Sequence, residues 1–148
     1  MNTQTFTSSE ASLGDLADIR DFVKRASLEM GGIGDAVSEI VLALNEAVTN
    51  VLIHGYGGKP GYLDITLMRD SADLIIYLRD RAITFDPNSV PAPELFVPLE
   101  RRRPGGMGVH MMRNFTDEMY YQSDAGGLNE LKLVKRGAID TRATERTE

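Results

Sequence analysis

The chain has 148 residues, 42% of them hydrophobic and 26% charged, with a formal net charge of −6. Those figures suit one folded domain and exclude a disordered chain, and the acidic balance argues against nucleic acid, whose binders carry a basic face; the only cationic run is Arg101-Arg102-Arg103. There is no cysteine, which excludes disulfides, a thiolate zinc site and a cysteine nucleophile.

The N-terminus, MNTQTFTSSE, lacks the charged and apolar regions of a signal peptide, and no uninterrupted apolar run reaches membrane-spanning length. The expectation is a soluble cytoplasmic protein with no membrane partner. TQTFTS predicts a short first strand. Leu13, Leu16, Ile19, Val23 and Ala26 fall at helical spacing, and Gly31-Gly32 can end that helix. Asp35 is the expected N-cap of a second helix, whose apolar face is Val37, Ile40, Val41, Leu44, Val48, Val51 and Leu52. Gly55, Gly57 and Gly58 close it, and Pro60-Gly61 makes a turn. YLDITLMR alternates as a half-buried strand, and LIIYLRD reads as a more buried one ending at Asp80.

Residues 87–104 hold five of the six prolines, and a long irregular stretch inside a small domain is usually functional. After GGMG a helix is expected, with Val109, Met112 and Phe115 inward. EMYYQS and LNELKLVK read as strands around a turn at Asp124–Gly127, and DTRATERTE is a polar tail. Residues 1–137 are thus expected to form one domain and 138–148 a tail. The expected fold is an α+β two-layer sandwich, a mixed but mostly antiparallel sheet with helices on one face.

Three places carry chemistry. Glu46 and Asn50 lie about 200° and 240° around the second helix from Leu44, so they share the face opposite the core. Their neighbours there, Ala43, Ala47 and Ile53, are small or apolar, which suits close approach of a ligand. An Asn carboxamide oxygen is a hard ligand for Mg²⁺, and a Glu one turn away can act as a base. The plain alternative is a polar face that meets solvent. Asp80 ends an apolar strand, where a buried carboxylate needs a partner such as a purine amino group; the alternative is a carboxylate that turns a strand into a loop. Gly105, Gly106 and Gly108 precede a helix, where free backbone N–H groups and the helix dipole favour phosphate; the alternative is a flexible turn. His54 and His110 are the only histidines, too few without cysteine for a zinc site to be expected.

Taken in order, LNEAVTNVLIHGY, LRDRAITFDP, GGMGVHMMRNFTDEMYY and GGLNELKLVK resemble the GHKL ATPase superfamily of gyrase, histidine kinases and mismatch-repair ATPases. The chain is more closely similar to the bacterial anti-sigma-factor serine/threonine kinases, over about residues 8–136. The resemblance implies a Bergerat-type ATP-binding fold, with ATP and Mg²⁺ as cofactors. It implies Glu46 as general base, Asn50 as the Mg²⁺ ligand and Asp80 as the acceptor of the adenine amino group. Phe85 would wall the base, and residues 88–104 would be an ATP lid whose Arg103 touches phosphate. Gly105, Gly106 and Gly108 would bind phosphate through the backbone, and Met107 and Val109 would be ATP-binding residues of the same turn. Two positions depart from the family pattern. Ala82 stands where a glycine is usual, and Lys132 is read as standing where the last strand commonly offers a threonine.

By the same resemblance the chain is a serine/threonine-protein kinase and anti-sigma factor. Its substrate would be a STAS-type anti-anti-sigma protein, its alternative partner a sigma factor, and its assembly a homodimer. A nucleotide-gated binding switch without kinase activity is the alternative. A complete histidine kinase would need a phosphoacceptor His on a preceding hairpin, and no His precedes the second helix. A gyrase-type machine would need a transducing domain.

Overall fold

The computed structural model describes residues 2–83, 87–89 and 106–142. Strand β1 (Thr3–Ala11) leads through a 3-10 turn at Leu13–Asp15 into helix α1 (Leu16–Glu29). Helix α2 (Gly34–Asn50) runs on into a π-helical turn, Val51–Gly55. Strands β2 (Gly61–Asp70) and β3 (Asp73–Asp80) form a hairpin. A 3-10 turn at Pro87–Ser89, helix α3 (Gly106–Phe115) and strands β4 (Glu118–Ser123) and β5 (Asn129–Lys135) complete the described elements.

The strands form one five-stranded sheet in the order β1-β2-β3-β5-β4. Every pairing is antiparallel among the described residues, so the expected parallel component is absent there. Strand alternation explains the two faces. Leu63, Ile65 and Leu67 of β2, Leu74, Ile76 and Leu78 of β3, and Leu131 and Leu133 of β5 are buried in one cluster with the helices. Ile19, Val23 and Ala26 of α1, and Ile40, Leu44 and Val48 of α2, fill the other side of that core. Each fully buried Leu or Ile contributes roughly 1.5–3 kcal/mol. The opposite face is polar: Arg79 bridges Asp64 at 3.3 Å and Glu130 at 2.8 Å, while Lys132 lies over the rings of Tyr77 and Tyr120.

Three expectations change in detail. The α2 N-cap is Ile33, and Asp35 sits in the first turn, where it meets the helix dipole without capping. The helical run does end at Gly55, the first of the expected glycines, but its last five residues widen into a π turn, a form found often at functional positions. Ala138 and Ile139 head the segment expected to be a polar tail, yet both are buried. Ile139 bridges Gly32, its N–H donates to Ala72, and the N–H of Asp140 donates to Gly31. The span Gly34–Gly55 is long and apolar enough, by length and composition, to cross a membrane. Here its apolar side, with Val37, Ile40, Leu44, Val48 and Leu52, is buried in the protein.

Lys135 ties the layers together. Its ammonium donates to Glu39 of α2 at 2.6 Å and to the Phe115 carbonyl at the end of α3 at 2.8 Å. This satisfies one of the orphan carbonyls that every helix C-terminus leaves.

Candidate functional site

The end of the sheet where β3 stops and β5 starts holds a recess enclosing about 420 Å³, its open mouth included. Helix α2 and its π turn contribute Ala47, Asn50, Val51 and Gly55. Leu78, Asp80, Ala82 and Ile83 form a second wall, and Asn129 and Leu131 of β5 continue it. Met112, Tyr121 and Pro87 complete the lining among the described residues. Asn50 and Asp80, thirty residues apart, are thus brought to one cavity by packing of the helix on the sheet.

Asp80 is 5% exposed. Its Oδ1 accepts from the Ala82 N–H at 2.9 Å and from Asn129 Nδ2 at 2.8 Å. Burial pushes its carboxyl above the usual range, and those two hydrogen bonds pull the other way. Both described bonds fall on one oxygen, which leaves the second with capacity for a ligand N–H. Asn129 is itself 1% exposed. Its amide also donates to the Ala82 carbonyl at 2.9 Å, and its Oδ1 accepts from the Ser123 hydroxyl at 2.5 Å.

Asn50 lines the same cavity, and its buried Nδ2 has no hydrogen-bond partner among the described residues. A buried amide without a partner is costly, so its placement beside a cavity points to a ligand that completes it. No group of three or more His, Asp or Glu capable of holding a metal occurs among the described residues. A single Asn oxygen fits Mg²⁺ delivered with phosphates and water, a style of binding that needs no protein cage.

The remaining expected residues divide. Glu46 is half-buried one turn before Asn50 and is not part of the described cavity lining. Ala43 and Ala47, read as leaving room for a ligand, are buried in the core, and only Ala47 also lines the cavity. Gly106, Met107 and Gly108 open α3, so the glycines lie within its first turn rather than before it. Val109 is wholly buried in the core. Phe85, Arg103 and Gly105, and all of the expected lid beyond residues 88–89, lie outside the described residues. Arg113 of α3 donates to the carbonyls of Pro87 at 2.9 Å and Asn88 at 3.1 Å, and so holds the 87–89 turn.

One assignment is corrected. Lys132 is not on the cavity side, because β5 turns its even-numbered residues to the polar face, where Lys132 meets two tyrosine rings. The β5 residue beside Asp80 is Asn129, its register partner. The signal was present in LNELKLVK: Leu131 and Leu133 mark the core face, and Asn129 continues it.

The other departure has a visible setting. A Cβ added at Gly55 would lie 2.6 Å from the Ala82 methyl. The π turn and the residue-82 turn are therefore in direct contact, and Ala82 fits because position 55 has no side chain.

A sequence profile of the histidine kinase-like ATPase domain matches residues 9–135. The chain belongs to that family. Among curated relatives, the serine/threonine-protein kinase BtrW of Bordetella bronchiseptica is 29% identical over 103 residues, covering 69% of this chain and 72% of the relative. The anti-sigma F factor of Clostridium acetobutylicum is 31% identical over 109 residues, covering 71% and 73%. That of Bacillus cytotoxicus is 34% identical over 103 residues, covering 68% and 70%. Among solved structures, the RsbU and RsbW domains of Rv1364c from Mycobacterium tuberculosis share the fold, with a TM-score of 0.62 at 16% identity. That match covers 90% of this chain and 32% of the longer one. The family membership and the antiparallel α+β fold agree with the resemblance read from the motifs.

Proposed function

We propose that this chain is an ATP-dependent serine/threonine-protein kinase and anti-sigma factor of the cytoplasm. Its substrate is a STAS-type anti-anti-sigma protein, and a sigma factor is its alternative partner. The observation that carries the reading is the pairing, across one cavity, of a buried Asp80 with hydrogen-bonding capacity to spare and an Asn50 amide without a partner. The first suits the donor edge of adenine and the second suits the phosphate end. Relatives named as anti-sigma factors and as a serine/threonine-protein kinase support the same reading.

In this mechanism Asp80 accepts the adenine amino hydrogen, while Asn129 and the Ala82 N–H hold the carboxylate still. Asn50 would hold Mg²⁺ through its carboxamide oxygen, while its unpartnered Nδ2 can donate to a phosphate oxygen. Mg²⁺ bound there would neutralise phosphate charge and orient the transferred group. Glu46, one turn earlier on α2, takes the proton of the acceptor hydroxyl as that oxygen attacks the γ-phosphorus and ADP departs. The backbone of Gly106 and Gly108 at the start of α3 binds phosphate, and by the resemblance Gly105 and Arg103 would contribute to the same contact.

A second reading, a nucleotide-gated binding switch without phosphotransfer, is favoured by one observation: the cavity lining includes Asn50 but not Glu46. The two readings separate when the protein is incubated with radiolabelled Mg·ATP and a STAS protein that carries an acceptor serine. Label on the serine supports the kinase. Tight nucleotide binding with no label supports the switch. Calorimetry that detects no ATP or ADP binding in the presence of Mg²⁺ removes both.

A further inference from the structure

The β2–β3 ladder ends at the pair Leu63–Asp80. The next rung would join Tyr62 to Arg81, but no such pair forms. A side chain fills the gap. The Tyr56 hydroxyl donates to the Tyr62 carbonyl at 2.7 Å and accepts from the Arg81 N–H at 2.8 Å. It takes the place of one rung and holds the two strands apart at the point where β3 turns away. The neighbouring backbone accommodates the ring: a Cβ on Gly61 would lie 2.6 Å from its Cε atoms. Burial pushes the phenol above its ordinary range, so it keeps its proton, and can donate, at neutral pH.

Tyr56 directly follows the π turn, and its own N–H donates to Val51 at 2.8 Å. Gly55, one residue earlier, is the residue in contact with Ala82. Two adjacent residues after α2 thus touch two adjacent residues after β3. Ala82 in turn supplies one of the two N–H groups that orient Asp80. The chain of contacts runs from the helix that carries Asn50 to the carboxylate at the other side of the cavity.

We propose that Tyr56 is a specificity-determining positioning residue: its hydroxyl pegs the Arg81–Ala82 turn and so sets where the Asp80 carboxylate meets the base. The proposal rests on the reading of Asp80 as the acceptor of an adenine amino group. Tyr56 does not line the cavity, so its effect is exerted through the turn.

The test compares Mg·ADP with Mg·IDP, whose hypoxanthine lacks the amino donor, by calorimetry on the wild-type protein and Tyr56→Phe. Removal of one hydroxyl that makes two hydrogen bonds should narrow the ADP preference roughly five- to tenfold. The Arg81 amide should lose its protection from hydrogen exchange, while amides in α1 keep theirs. If Tyr56→Phe fails to fold, Gly55→Ala displaces the same turn through the Ala82 methyl and should narrow the preference likewise. A wild-type preference that survives Tyr56→Phe undiminished overturns the proposal alone. A wild-type protein that binds ADP and IDP equally overturns the Asp80 assignment and the proposal with it.

Discussion

The two ends of the sheet are closed in different ways. At the end where β2 meets β3 through a tight turn, backbone meets backbone: Ile33 donates to Ala138, Ile139 to Ala72 and Asp140 to Gly31. Ile139 and Ala138 are buried beneath those bonds. At the other end, side chains stand in for backbone. Tyr56 replaces a rung, Asn129 bridges Asp80 and Ala82, and the Asn50 amide is left without a partner. The first arrangement leaves little for a ligand to add. The second places the unpartnered Asn50 amide at a cavity, where a ligand can offset its desolvation, whereas the unpartnered Ser27 hydroxyl near the first end is shut in. The same sheet therefore has one end built for cohesion and one held ready for chemistry.

Glu46→Gln should produce the largest effect and sharpens what the reactive end does. If Glu46 is the base, phosphotransfer falls roughly 10²- to 10⁴-fold while ATP affinity barely moves. Single-turnover transfer at a near-normal rate would move catalysis away from Glu46 to positioning alone. At the cohesive end, Ile139→Ala should remove about 2–4 kcal/mol of stability by opening a cavity under the strap. Urea unfolding measures it, and a loss below about 1 kcal/mol would show that the strap is not integral to the core. Nucleotide affinity of the folded Ile139→Ala protein should be unchanged, since the two ends share no residue.

Asp80→Asn breaks the comparison most directly, because it should harm binding while helping the fold. Loss of the acceptor should weaken ADP roughly tenfold or more, the scale of one charged hydrogen bond. The folded-state pKa of Asp80 is raised, so the folded form binds more protons than the unfolded form between the ordinary carboxylate pKa and the raised one. Stability contributed by this group therefore falls as pH rises through that window, and the penalty is fully present above it. Asp80→Asn should remove the penalty, so its melting temperature at neutral pH should equal or exceed that of the wild type. A clear drop in melting temperature would mean that the carboxylate is structurally required. The smallest effect is expected from Arg113→Ala, about 1 kcal/mol, because it breaks two hydrogen bonds to the 87–89 turn. Thermal melts measure it, and a loss of several kcal/mol would place that turn among the elements that hold the core together.

Sequence patterning made the cohesive parts of the molecule legible. The period of α2, the alternation of β2 and the EMYYQS–LNELKLVK hairpin each repeat a short signal, and each element lies where its pattern put it. Asn50 stood out for sharing a helix face with Glu46 and Asp80 for ending an apolar strand, and the fold brings these two to one cavity. What escaped depends on pairing between distant segments. Asn129 becomes the neighbour of Asp80 only once β5 is set in register with β3, whereas the family pattern alone pointed to Lys132. The role of Tyr56 involves positions 56, 62 and 81 together, which no local pattern encodes. Ala138 and Ile139 are two apolar residues between Gly137 and a polar stretch, too short to carry a period.

The sheet order has a consequence for biosynthesis. Strand β5 follows every other strand in sequence yet lies inside the sheet, between β3 and β4. Asp80 and its partner Asn129 are 49 residues apart. As the chain leaves the ribosome, β3 is therefore complete well before its inner neighbour exists. Through that interval its free edge, with Leu74, Ile76 and Leu78, is open to pairing with another nascent copy. Polysomes translating this message should thus be more prone to co-translational aggregation than the finished protein, and a chaperone that shields apolar edges should raise the yield of folded chain.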